Sequence, residues 1–380
     1  MDFRPDALHQ DIIEMVHDLA VGEIGPLAAQ IDRTGEFPAS SIRQMAQMGL
    51  MGIPFPERYG GSEMDTLAYA QTIEELSKYC GATGAILTAH TSLCCAPIYQ
   101  FGTEEQRQRY LSRLCAGEWL GAFALTEQEA GCDIFGQQTV AVDAGDHWVL
   151  NGSKTFITNG GAADIFFVLA VTGQSGNARW ISAFIVEKGF HGFFIGRRED
   201  QTGIRASSTC RLIFKDCLVP KGNLVGRPGR GLEYAQTALD GACIGIAAQA
   251  LGIAEGAIEE TVKYVRKREQ FGGRLSQFQN TQFELAQMQA GTEAAKLLVY
   301  QAACAKDDQE IFFHKAAMAK LIASRNASDV TRRCQQLYGR YGCTQGYPIE
   351  RMMRDAKITE IYGGTSEVQM MKIAGWMGVK

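Results

Sequence analysis

TVAVDAGDHWVL (139–150), DIFFVLAVT (164–172), WISAFIVEK (180–188) and RLIFKDCLV (211–219) are short runs rich in β-branched and aromatic residues, bounded by Gly, Asp and Asn. No long helical pattern separates them. The stretch from about 121 to 219 therefore reads as a small antiparallel sandwich or barrel rather than a series of βαβ units. On its amino-terminal side the grammar is helical. Thr103 and Gln106 make a capping box that opens EEQRQRYLSRL (104–114), Pro54 and Pro56 interrupt an earlier stretch, and the glycines at 60–61 mark a loop before a helix around Leu67–Tyr79. On the other side GRPGRG (226–231) reads as a hinge; its glycine spacing and the absence of a surrounding βαβ unit exclude a dinucleotide fingerprint. Beyond it Leu251, Ala254, Ile258, Val262 and Val265 line one helical face, and long helices are predicted over 282–306 and 311–341, as in an antiparallel bundle. The expected architecture is α+β and multidomain: an all-α domain over 1–120, a β domain over 121–231 and a four-helix-bundle domain over 232–380.

Composition narrows the function classes. At 46% hydrophobic and 21% charged residues, the chain is neither disordered nor fibrous. Its net charge of −5 and its lack of Lys/Arg blocks argue against a nucleic-acid surface. Eleven cysteines stand at irregular spacing with no C-x-x-C pair, so free thiols in a reducing compartment are expected and a metal site is not. The start, MDFRPDALHQDIIEMVHDLA, is acidic and amphipathic, unlike a signal peptide or presequence, and no apolar run reaches membrane-helix length. The expectation is a soluble, cytoplasmic protein without membrane insertion.

Five segments in order carry a resemblance: GAFALTEQEAGCD (121–133), NGSKTFITN (151–159), KREQFG with FQNTQ (267–272, 278–282), QLYGRYG (336–342) and MRDAKITEIYGGTSEVQ (353–369). Together they resemble the acyl-CoA dehydrogenase family over essentially the whole chain, in particular its short-chain, butyryl-CoA dehydrogenase-like members. The resemblance implies FAD as cofactor, a short or medium acyl-CoA thioester as substrate, a homotetramer, and electron-transfer flavoprotein as redox partner. It further implies that Phe123, Leu125, Thr126, Gly131 and Cys132, with Phe156, Ile157 and Thr158, hold the flavin largely through backbone, a fitting way to meet a polar fused ring. Arg268, Phe271 and Gln279 match positions for the FAD diphosphate and adenine; Gln336, Gly339, Thr365, Ser366 and Glu367 match contacts to the FAD of a neighbouring subunit. Cys132, Asp240, Gly241, Ala242, Cys243, Tyr362 and Gly364 match the substrate side.

The resemblance breaks where its chemistry is done. Family members take a proton from the carbon α to the thioester with a glutamate while hydride passes between the β carbon and the flavin. Here the segment reads Ile361-Tyr362-Gly363-Gly364-Thr365, with Gly363 at the base position, and Ala242 stands where some relatives carry a substitute. Cys243 and Arg340 replace a usual Arg and Gly, and Gln128 a usual Pro. Gly363 keeps its backbone N–H, which suffices to polarise a thioester carbonyl. Tyr362, Glu360, Glu127, His90, Cys132 and Cys243 are the neighbours weighed as surrogate groups. Three functions follow: a dehydrogenase (or, in reverse, an enoyl-CoA reductase); a non-oxidative lyase of the 3-sulfinopropionyl-CoA desulfinase type; or a silent protein that binds FAD and acyl-CoA.

Overall fold

The computed structural model describes residues 6–379 except 176 and 177; part of the amphipathic amino-terminal stretch (1–5) and Lys380 lie outside them. Helices fill the first third of the chain. Asp6 and Asp65 each cap a helix by accepting a backbone N–H, from His9 at 2.9 Å and from Ala68 at 2.8 Å. The helix after Asp65 spans Thr66–Tyr79, and Thr103 with Gln106 forms the expected capping box.

The middle of the chain is one sheet: β1 (Gly121–Ala124), β2 (Val140–Asp143), β3 (His147–Ile157), β4 (Ile165–Ser175), β5 (Ala178–Glu187), β6 (Phe193–Arg198), β7 (Cys210–Pro220) and β8 (Leu224–Val225). The order is β6-β7-β3-β2-β4-β5-β8, with β1 beside β4. Most pairs are antiparallel, as expected, but β1 and β2 both run parallel to β4. The apolar run of β4 follows from its place in the middle. Phe166, Val168 and Ala170 pack into the core shared with the helical regions, while Ile165, Phe167 and Leu169 pack on the opposite face with Leu111, Leu114 and Ala235.

The carboxy-terminal third is built on the helix Gly231–Lys267, which packs against Thr66–Tyr79, Gln279–Asp307 and Phe313–Tyr338. Gly and Ala let its neighbours come close: a Cβ on Gly252 would stand 2.0 Å from the Glu74 carbonyl oxygen. Among the described residues this is the one helix long and apolar enough, by length and composition, to cross a membrane, and 94% of its most apolar window is buried in the fold. Two shorter helices, Pro348–Ile358 and Ser366–Trp376, close the chain and leave a turn between them.

Candidate functional site

That turn holds Gly363 and Gly364, both in left-handed backbone, at φ +64° and +95°. Its carbonyls are pinned from below. Lys320 Nζ donates to Gly364 O at 2.8 Å and to Thr359 O at 3.0 Å; Gln369 Nε2 donates to Gly364 O at 3.0 Å and to Gly363 O at 3.4 Å. The N–H groups of Gly363 and Gly364 donate to no acceptor among the described residues. Two unspent donors on a fixed turn are what a developing oxyanion requires. Lys320 is fully buried, and burial pulls its ammonium down to about 8.

The side-chain space beside Gly363 is already taken. A Cβ there would lie 2.3 Å from Ile246 Cδ1 and 3.9 Å from Lys320 Cε. Cys243 Sγ lies 4.0 Å from Gly363 O and 3.6 Å from Gln369 Oε1, and burial pushes its thiol up. The structure thus brings Cys243, Gly363 and Gly364 together, with Ala242 buried beside them and Asp240 one turn away, bonded to Lys372 at 2.6 Å. Gly241 faces Lys306 instead, 3.9 Å from the position of a Cβ. Thr365 caps the last helix through Val368 N, and Ser366 is buried while Glu367 is exposed.

Apart from Cys132, each candidate surrogate group is otherwise engaged. The Tyr362 hydroxyl donates to Gln249 Oε1, and burial drives the phenol far above its ordinary range. Glu360 pairs with Lys357 at 3.0 Å. His90 is fully buried, accepts from Gly121 N at 3.0 Å on Nδ1 and is pushed down to about 4 by burial, the state of a packed neutral ring. Glu127 takes Lys154 at 2.7 Å together with the N–H groups of Gln138 and Thr139. Cys132 is an exposed thiol on the loop after β1.

That Lys154–Glu127 pair organises the second neighbourhood. Lys154, fully buried on β3, also donates to Leu125 O at 3.1 Å and Gln137 Oε1 at 2.8 Å, while Thr155 N donates to Thr126 O at 2.9 Å. The loop carrying Leu125, Thr126, Gly131 and Cys132 is thereby tied to the end of β3 with Phe156, Ile157 and Thr158. The Phe123, Leu125 and Ile157 side chains are wholly or partly packed inside; Phe156 stands 64% exposed at φ +57°. The third neighbourhood holds Arg268, Phe271 and Gln279 after the long helix, and Gln336 with Gly339 at the end of Phe313–Tyr338.

FAD fits this chain. A flavin wants flat apolar surface, open backbone and spare hydrogen-bonding atoms. Phe156 and Phe271 present exposed rings, a Cβ on Gly131 or Gly339 would meet nothing within 4 Å, and the buried hydroxyls of Thr155 and Ser366 have no partner. Among the described residues no group of His, Cys, Asp and Glu is disposed to hold a metal. Lys154, Ile246, Lys320 and Gln369 were not singled out in the sequence, although Lys154 sits at an inward position of β3 in line with Trp148 and Leu150.

Known proteins resemble the chain along its whole length. The acyl-CoA dehydrogenase N-terminal, middle and C-terminal domain families match residues 6–118, 122–217 and 229–378. The chain is 52% identical over 375 residues, 99% of each chain, to the short-chain specific acyl-CoA dehydrogenase of Clostridium acetobutylicum. It superposes on butyryl-CoA dehydrogenase from Megasphaera elsdenii with a TM-score of 0.97 at 45% identity, covering 99% of this chain and 100% of that one. A chain solved under the description of the electron transferring flavoprotein of Acidaminococcus fermentans matches with a TM-score of 0.97 at 47% identity, covering 99% of both. With its three domains matched end to end, the chain belongs to the acyl-CoA dehydrogenase family and is an oxidoreductase whose cofactor is FAD.

Proposed function

We propose that the chain acts on short acyl-CoA thioesters, holding the thioester carbonyl on the Gly363 N–H, with no side chain at that position to move the α proton. The observation that carries this reading is the turn itself: carbonyls fixed by Lys320 and Gln369, N–H groups unspent, and Ile246 where a side chain would project. FAD, when bound, supplies hydride exchange with the β carbon. The α proton passes to water in dehydrogenation and comes from water in the reverse reaction, and turnover is slow by the measure of a positioned base, which contributes about 10²–10⁴-fold. Short chain length is supported by the short-chain relatives. The residues tied to the loop after β1 and to the end of β3 serve the flavin; those around Gly363 serve the thioester. Electron-transfer flavoprotein is the redox partner, consistent with the A. fermentans match. A homotetramer is the assembly, and exposed Phe283, Leu297, Met371 and Trp376 offer apolar surface for it.

The test is an anaerobic visible spectrum of the FAD-loaded protein titrated with butyryl-CoA, then crotonyl-CoA. Slow bleaching of the flavin band with butyryl-CoA supports the proposal. A band that shifts without bleaching supports a second reading, a protein that binds FAD and thioester without turnover, which the Ile246 packing favours. The lyase reading gains no support: Lys320, beside Gly363, donates to two carbonyls and Lys372 is paired with Asp240, so neither awaits an anionic acyl tail.

A further inference from the structure

Two arginines share one aromatic ring in the third neighbourhood. The Arg268 guanidinium carbon lies 5.3 Å from the centre of the Tyr341 ring and that of Arg340 lies 5.1 Å from it. Arg340 also donates to the Tyr341 hydroxyl at 3.2 Å. Among the described residues neither arginine has a carboxylate within ion-pair distance, whereas Arg274, six residues beyond Arg268, pairs with Glu269 at 3.8 Å. Two like charges held on one ring without a counter-ion repel each other, an arrangement that an anion would relieve. The phenol feels both: hydrogen bonding to Arg340 first, then the charges of Arg340 and Arg268, hold Tyr341 below the ordinary tyrosine range. The support beneath is rigid. Tyr264, one turn before Arg268, stacks on Tyr338 with ring centres 4.0 Å apart, and the Tyr264 hydroxyl donates to Tyr338 O at 3.3 Å.

The surroundings are shaped for a nucleotide. Phe271 is 97% exposed in left-handed backbone at φ +53°, an arrangement that wastes a large apolar ring unless something flat lies on it. Gly339, next to Arg340, has φ +57° and open space where a Cβ would be, so backbone can approach a bulky ligand.

We propose that Arg340 is a cofactor-binding residue of this chain: with Arg268 across Tyr341 it forms a two-guanidinium seat for the dianionic diphosphate of FAD. This rests on FAD binding as read above. Acyl-CoA also carries an adenosine diphosphate, so the test must separate the two. The FAD-loaded protein is stripped and rebound with FAD, following flavin fluorescence at low and at physiological salt. The same proteins are titrated with butyryl-CoA. Arg340→Gln is expected to bind FAD about fivefold more weakly at low salt, with a shallower salt dependence, because an exposed guanidinium is screened; Arg340→Lys recovers part of the loss. Arg340 is exposed, so both variants are expected to fold, with circular dichroism and elution volume unchanged. FAD affinity of Arg340→Gln within twofold of the parent overturns the proposal, most directly if Arg268→Gln is weakened. Loss of butyryl-CoA affinity with FAD affinity intact overturns it in favour of CoA. A parent that takes up no FAD sinks the FAD reading itself, and this proposal with it.

Discussion

At the scale of the residue, the question is what a glutamate side chain in place of Gly363 would do. Gly363 sits at φ +64°, where an L side chain costs about 1–3 kcal/mol, and its Cβ would fall 2.3 Å from Ile246 Cδ1. The obstructing atom is the tip of a flexible side chain, so it can rotate, at a packing cost. Gly363→Glu is expected to lose about 1–3 kcal/mol in urea unfolding. Ile246→Val, which removes that methyl, is expected to cost about 0.5–1.5 kcal/mol alone and less when combined with Gly363→Glu, a coupling that a double-mutant cycle reads directly. If the base is all that is missing, the double variant dehydrogenates butyryl-CoA at least about 10²-fold faster than the parent. No gain would mean that the pocket is committed to other chemistry. The parent's pH dependence is diagnostic too. With Glu360 and Glu127 paired and His90 neutral and buried, kcat/KM for dehydrogenation is expected to keep rising through neutral and alkaline pH. A plateau reached just above the carboxylate range would reveal a base that the geometry does not show.

At the scale of the element, the loop after β1 is held by one buried charge. Lys154→Met leaves the Glu127 carboxylate buried with only two N–H partners, and losing one side of such a pair costs about 3–5 kcal/mol. A lower Tm together with FAD loss on gel filtration is expected; full FAD retention would show that the loop keeps its place without the lysine. Across the helices, burial and the nearby Glu255 raise Glu74 to about 8, although Lys296 lies 3.0 Å away and Tyr300 donates to it at 2.9 Å. A carboxyl raised above its unfolded value of 4.5 contributes stability that is full below that value and is lost as pH rises through the folded one. The Tm is therefore expected to fall between about pH 5 and 8, and Glu74→Gln, which still accepts from Tyr300, is expected to flatten that slope; an unchanged slope would assign it elsewhere. Much of this layout was legible in sequence. The Thr103 capping box, the strands of 139–219 and the helices around 251–265, 282–306 and 311–341 declare themselves through local pattern. Lys154 and Lys320 stand on apolar stripes, Lys320 between Ala316 and Ala323, where a sequence pattern shows a violation without naming the partner. The parallel pairing of β1 with β4, and the approach of Ile246 to Gly363 across the chain, are tertiary and leave no local trace.

At the scale of the whole molecule, the β domain is fastened to both helical regions by hydrogen bonds that do not involve the cofactor. Asn159 Nδ2 donates to Ile86 O at 3.1 Å and to Gly121 O at 3.0 Å, while Gln106 Nε2 donates to Gly222 O and Leu224 O at 2.7 and 2.8 Å. On the other side Ile204 N donates to buried Asp355 at 2.6 Å, and Arg354 grips Asp32 through two nitrogens while donating to Thr202 O at 2.9 Å. Arg354 thus ties the first, middle and last parts of the chain at one point. A cofactor that binds only the folded state adds to this frame by mass action, about 2.7 kcal/mol when free FAD stands at a hundred times its Kd. For a chain of this length that is worth roughly 3 °C in Tm. Stripping FAD is therefore expected to lower the melting temperature by a few degrees while leaving one main calorimetric transition, because the frame survives. Arg354→Gln is expected to do more damage than FAD removal: it leaves Asp32, only 8% exposed, without its cation and frees all three parts of the chain at once. If the stripped protein instead melts in two separated transitions while the FAD-loaded Arg354→Gln variant melts in one, the cofactor and not the arginine holds the domains together.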